Sequence, residues 1–301
     1  MMIFSIFACG LAWVALGSSL FGAAVPEVAP PPAEVRAARA ARLEKLTAPD
    51  GWLTLIGLHF LPDGESTVGS GQNNRVVLAA GPARVGRVTV SADRRVTFTA
   101  EPGVETRVGG VVVRTAEMTL GQGTERPATV TAGTVSFFAV ERGGRLALRV
   151  KDSAAPLRTA FPGIEFHRYD PALRIEARWV EYTPPRMVPV TSVLGHVSPE
   201  PVPGKAVFEH AGRVWELIPF DEGRENPLFF VFADATAGLS TYGGGRFLYT
   251  EWPVNGRVVL DFNLAENPPC AFTPHSTCPL PPKENKLPFA IEAGEKTFAG
   301  K

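Results

Sequence analysis

The apolar positions of this chain come mostly in short β-branched runs broken by turn residues. Between Trp52 and about Val150 such runs occupy residues 75–78, 85–90, 96–99, 111–113, 135–140 and 146–150, the spacing expected of a β-sandwich. Ala92-Asp93-Arg94 and Arg142-Gly143-Gly144 suit hairpin tips, because a tight turn needs residues that tolerate positive φ. Beyond Pro156 the strands lengthen. Apolar and charged residues alternate through 173–179, so Leu173, Ile175, Ala177 and Trp179 share a buried face while Arg174, Glu176 and Arg178 face water. Further strands are predicted at 206–209, 214–218, 228–232, 247–249 and 258–262, with turns at Ala211-Gly212 and Asn255-Gly256. One segment breaks the pattern: Ala33 to about Leu46 is rich in Ala, Arg, Glu and Leu, and Val35, Ala38 and Leu46 fall near one helical face. The predicted fold is mainly β: one helix packed across an N-terminal β-sandwich, then a second β-rich, barrel-like domain.

The first two dozen residues are of another kind. No charge interrupts residues 3–24, and the run ends in Gly22-Ala23-Ala24, a small-residue cleavage site before Val25. This predicts export to a periplasmic or extracellular space. Because Lys and Arg are missing ahead of the apolar run, an uncleaved leader is the one route by which the protein would touch a membrane. Four prolines in 25–32 keep the following tether extended. The expected division is therefore a leader at 1–24, tether and helix at 25–48, sandwich at 49–155 and C-terminal domain at 156–301.

With 301 residues the chain is long enough for two ordinary domains. Its 30 basic and 30 acidic residues cancel without clustering, which argues against a nucleic-acid partner. Of the 3 cysteines, Cys9 leaves with a cleaved leader. Cys270 and Cys278 then remain as an even pair in an oxidising compartment, and a disulfide closing the Pro-rich segment 268–282 is the first expectation. The alternative is a zinc site built from Cys270, His275 and Cys278, with Asp261 as a fourth ligand. Export favours the disulfide, so neither metal nor cofactor is expected.

Several strings carry a family resemblance: residues 51–58 (GWLTLIGL), 242–248 (YGGGRFL), and above all Asp261-Phe262-Asn263 running through Asn267-Pro268-Pro269-Cys270 to Cys278-Pro279-Leu280-Pro281-Pro282. Together they resemble the domain-of-unknown-function family 1684 over nearly the whole mature chain. That resemblance implies a shared fold and no assigned reaction. Ser66-Thr67-Val68-Gly69-Ser70 followed by 73–78 also resembles a forkhead-associated sandwich. The Gly-Arg pair and Ser-x-x-His of that module are missing here, so the likeness implies a fold and not phosphopeptide reading.

Candidate chemistry is sparse. There is no G-x-S-x-G, H-E-x-x-H or P-loop, and no G-x-G-x-x-G in a βαβ setting. Tyr242 to Arg246 is a glycine run entering a strand: a plain tight turn explains it, and its amides could also bind an anion with Arg246 as the fork. Asp234, Asp261, Asn263 and Glu295 stand at the ends of apolar strands, where caps and buried hydrogen bonds are common. His59, His167, His196, His210 and His275 sit singly. The expectation is that Tyr242, Arg246, Asp261, Asn263 and Asn267 line one pocket for a small polar or anionic ligand, with the cystine-closed loop as its rim. Two alternatives stand beside this binding protein: a hydrolase using Asp261 or Glu295 with Arg246, and a structural envelope protein.

Overall fold

The computed structural model describes residues 30–121 and 125–300. The leader and most of the tether lie outside them. Six strands form one antiparallel sheet in the order Leu55–Phe60, Arg145–Asp152, Val135–Arg142, Thr129–Ala132, Arg107–Val108, Val111–Val112. A second sheet of five runs Val76–Val77, Gly64–Gly69, Gly86–Val90, Val96–Ala100, Thr115–Glu117, with a parallel pair at its Val76 edge. Alternate residues of both sheets meet in one core, in which Val68, Val88 and Phe98 face Val130, Phe137 and Leu148. Phe98 and Phe137 cross edge to face at 5.5 Å between centroids. The first half is thus the expected sandwich, built from the strands its β-branched runs mark.

The second half is built on a long hairpin, Arg174–Thr191 against Val197–His210, flanked by Arg213–Leu217 and Arg257–Asp261 in a four-stranded sheet curled as a half-barrel. The hairpin runs well past the alternating segment legible in sequence, into Pro-rich stretches paired as Met187 with Pro201 and Pro189 with Pro199. Prolines are tolerated there because each strand has lost its other neighbour: pairing with Arg257–Asp261 stops at Arg178, and pairing with Arg213–Leu217 covers 206–210. Beneath it the pair Leu228–Phe232 and Arg246–Thr250 forms a separate ribbon. Every residue of Leu228–Phe232 is buried, because Leu228, Phe230 and Phe232 enter one apolar cluster while Phe229 and Val231 enter another. Turns at Ala211-Gly212 and Asn255-Gly256 adopt the paired positive φ expected of two-residue hairpins.

After Asp261 regular pairing ends, and short 3₁₀ turns carry the chain across the rest of the fold. Side chains replace the ladder. Asn285, with no exposed surface, donates to the carbonyls of Ile218 (2.8 Å) and Val231 (2.9 Å) and accepts from the Ile218 amide (2.9 Å).

The helix Ala33–Thr47 forms where expected, but it does not lie across the sandwich. Leu46 packs with Leu53, Ala271 and Phe272, Arg42 reaches Asn267 and Glu295, and Ala38 is exposed. Charged partners on the C-terminal segment decide the docking, because the helix has little apolar surface of its own. From Pro31 onward the chain forms a single contact unit. Segment 270–278 is one of its seams: Thr273 donates to the Leu55 carbonyl and Arg142 donates to Thr277.

Asn285→Ala would strand two carbonyls and an amide in the core. The expected loss is about 3 kcal/mol of unfolding free energy in urea denaturation, and a change within about 0.5 kcal/mol would show the side chain to be dispensable.

Candidate functional site

Of the five residues expected to share a pocket, three are committed to holding the chain together. Arg246 is 1% exposed and paired with Asp234 at 2.7 Å; its Nη atoms also donate to the carbonyls of Ile291 and Ala293, while its buried Nε makes no hydrogen bond among the described residues. The anion-binding fork suggested by sequence is therefore turned into the core, with Nη2 already on the Asp234 carboxylate. Burial raises the Asp234 carboxyl, but Arg246 and the hydrogen bonds of Thr236 override it and hold Asp234 below its ordinary value. The glycines of 243–245 make a turn closed by Gly245 N–H to the Tyr242 carbonyl, and a Cβ at Gly245 would meet Pro281 and the Phe232 carbonyl. Asn263 is fully buried, donating to Asp170 and Asp261 while accepting from the Asp170 amide. Asp261 accepts from both the Asn263 amide and side chain, as a cap. Tyr242 packs between two apolar clusters.

The pair Cys270 and Cys278 stands as adjacent buried thiols, where a cystine was expected. Each backbone amide donates to the other residue's sulfur, at 3.3 and 3.4 Å, and Ser276 Oγ donates to the Cys270 sulfur at 2.9 Å. The hydrogen bond with Cys270 and then burial push the Cys278 thiol up from its ordinary value. Nearby, Arg149 is buried and pulled down to about 10, first by desolvation and then by Arg142. The loop is a seam between the halves, not a free rim. Among the described residues no three His, Cys, Asp or Glu side chains converge as a metal would require.

Asn267 has a different position. It lines a cavity of about 940 Å³, whose walls also include Ile164, His167, Phe272, Lys296 and Phe298; the other four candidates do not line it. The Asn267 amide nitrogens are used, the backbone one donating to Glu295 and the side-chain one to the Lys296 carbonyl, both at 2.7 Å. Its Oδ1 is buried and makes no hydrogen bond among the described residues, and the same holds for His167 Nε2. Burial, then the charges of Arg246 and Lys296, hold His167 below its ordinary value, so its ring is neutral at pH 7. A volume of this size and mixed lining is typical of small-molecule sites.

On the other side of the same segment lies a smaller cavity of about 180 Å³, lined by Arg39, Arg42, Phe166, Tyr249, Glu266 and Glu295. Arg42 pairs with Glu266 at 3.0 Å and Glu295 at 2.9 Å, and also donates to the Asn267 carbonyl at 2.7 Å. Burial raises the Glu266 carboxyl to about 7; Arg42 opposes this and Glu295 adds to it. Arg39 and Arg42, three apart on the helix and so neighbours on its surface, were not singled out in sequence.

A family model described as "Protein of unknown function (DUF1684)" matches residues 159–296. That part of the chain belongs to the DUF1684 family. The match is narrower than the resemblance read from sequence, which reached back to residue 51. The DUF1684 part supplies His167, Tyr249, Glu266, Asn267 and Glu295 to the two cavities, whereas Arg39 and Arg42 come from the helix outside it. The forkhead-associated likeness of residues 66–78 rests on its sequence pattern alone. A solution NMR structure of an uncharacterized protein of Haloarcula marismortui is 30% identical, covering 48% of this chain and 81% of that chain at a TM-score of 0.41. No curated protein matches.

The Glu266 carboxyl ionises near 4.5 when unperturbed and near 7 in the fold. Between those values the folded chain holds the extra proton, so stability falls as pH rises through this window, by no more than about 3 kcal/mol. Chemical denaturation across that pH range should show the fall, and Glu266→Gln should flatten it; an unchanged slope in the variant would assign the effect elsewhere.

Proposed function

We propose that this chain is an exported binding protein that takes up a small polar or anionic molecule in the cleft beside Asn267. The observation that carries the reading is the unsatisfied Oδ1 of Asn267, a residue 1% exposed, on the wall of a 940 Å³ cavity with His167 Nε2 equally unsatisfied. Buried polar atoms are normally bonded, so two orphans on one cavity wall suit a ligand that brings hydrogen-bonding groups. Lys296 on the same wall offers a cation for an anionic group, and Ile164, Phe272 and Phe298 suit an apolar portion. The apolar run 3–24 and its small-residue end support export to a periplasmic or extracellular space. In that oxidising setting Cys270 and Cys278 close as a disulfide, since each sulfur already touches the other's amide. The hydrolase alternative has less support, because Asp261 is bonded to Asn263, and Glu295 to Asn267 and Arg42.

A thermal-shift screen of polar and anionic metabolites should find stabilising compounds, with about 2.7 kcal/mol gained at a hundredfold excess over Kd. Asn267→Ala should remove about 1–2 kcal/mol of that gain. Esterase or glycosidase turnover by the purified protein, or a screen in which nothing stabilises it, would defeat the reading.

Protein recovered from the export compartment and unfolded without reductant should show no reactive thiol at Cys270 or Cys278 by alkylation and mass spectrometry. Two alkylated cysteines would remove the disulfide from the proposal.

A further inference from the structure

The smaller cavity carries an inference that goes beyond the cleft at Asn267. Arg39 contributes a guanidinium stacked on the Phe166 ring, with Cζ 4.2 Å from its centroid. Its Nε and Nη2 are buried and make no hydrogen bond among the described residues. Those two nitrogens form one edge of the guanidinium, with parallel N–H groups spaced to grip both oxygens of a carboxylate. An arginine edge left empty is costly in a protein that has carboxylates at hand. Glu266 and Glu295 both lie on this cavity, yet both pair with Arg42.

We propose that this cavity binds a small α-amino acid, its carboxylate on the Arg39 edge and its ammonium facing Glu266. The charge count selects the zwitterion. With the Glu266 carboxyl ionised, the form that an adjacent ammonium favours, two arginines and two glutamates are neutral together, so a bare carboxylate on Arg39 would leave an uncompensated negative charge in a partly dry site, and an ammonium on the same ligand cancels it. The volume, about 180 Å³, lies below that of drug-sized pockets and limits the side chain to a small one. Leu264 and Phe166 supply the apolar wall for it. The Arg39 edge is shut off from solvent, so the ligand must turn the guanidinium off the Phe166 ring toward the cavity it lines; Nε and Nη2 have no hydrogen bond to give up among the described residues.

The test is a calorimetric titration of the full chain with L-alanine and, separately, acetate, with amide NMR shifts recorded alongside. L-alanine should bind at least tenfold tighter than acetate, and its shifts should centre on residues 38–42, 166, 249 and 264–266. Arg39→Lys, which keeps the charge and loses the two-donor edge, should weaken alanine at least tenfold. Absence of alanine binding, acetate binding as tightly as alanine, or an Arg39→Lys protein that binds alanine unchanged would overturn the assignment. If Arg39→Lys does not fold, the alanine-to-acetate ratio and the position of the shifts in the unsubstituted protein decide it. Shifts confined to Leu239, Ser240 and Phe298 would place alanine in the larger cleft instead and would likewise overturn it.

Discussion

A buried guanidinium must be neutralised and hydrogen-bonded, or it unfolds the structure around it. Arg246 is neutralised by Asp234 and donates from its Nη atoms to the carbonyls of Ile291 and Ala293, and in doing so fixes a stretch of chain with no ladder of its own. Asp234 adds a second tie, accepting from the Ile291 amide. Residues 291–298 then run along both cavities, contributing Glu292, Lys296 and Phe298 to one and Glu295 to the other. Leaving either charge of this pair unpaired in the interior is worth about 3–5 kcal/mol, enough to free the segment that shapes both sites.

The second constraint is the single wall between the two cavities. Asn267 lines the large cleft, and its backbone carbonyl is held by Arg42, which lines the smaller cavity. Glu295 bonds the Asn267 amide with one oxygen and Arg42 with the other. Three hydrogen bonds thus join the residues that line the two cavities. The helix that brings Arg39 and Arg42 is part of this wall rather than a cover for the sandwich, because its surface is dominated by charge and finds its partners where carboxylates and carbonyls are exposed by irregular backbone.

Much of the architecture was legible in the chain itself. Period-two alternation located the strand face of Ile175, Ala177 and Trp179, with Leu173 buried at the end of the 3₁₀ turn before it, and paired turn residues at Ala211-Gly212 and Asn255-Gly256 located hairpins, since both depend on neighbours in sequence. The Pro-rich outer half of the long hairpin was not legible, because tolerance of proline depends on which strand edge is unpaired, and for Arg174–Thr191 that is set by where its pairing with the distant strand Arg257–Asp261 stops.

The candidate sites divide the same way. Local sequence determined that Arg246, Asp261, Asn263 and Asn267 are polar groups set among apolar strands and turns, and that Cys270 and Cys278 can approach across a short Pro-rich loop. It could not say which of those groups would spend their hydrogen bonds on the backbone. That was decided by tertiary contacts, which consumed Arg246 and Asn263, left Asn267 with one bare acceptor, and brought Arg39 from a helix more than two hundred residues away beside Glu266. Hydrogen-bond satisfaction is a property of the completed packing, so a residue's type and spacing reveal its capacity while only its neighbours in space reveal what remains unused.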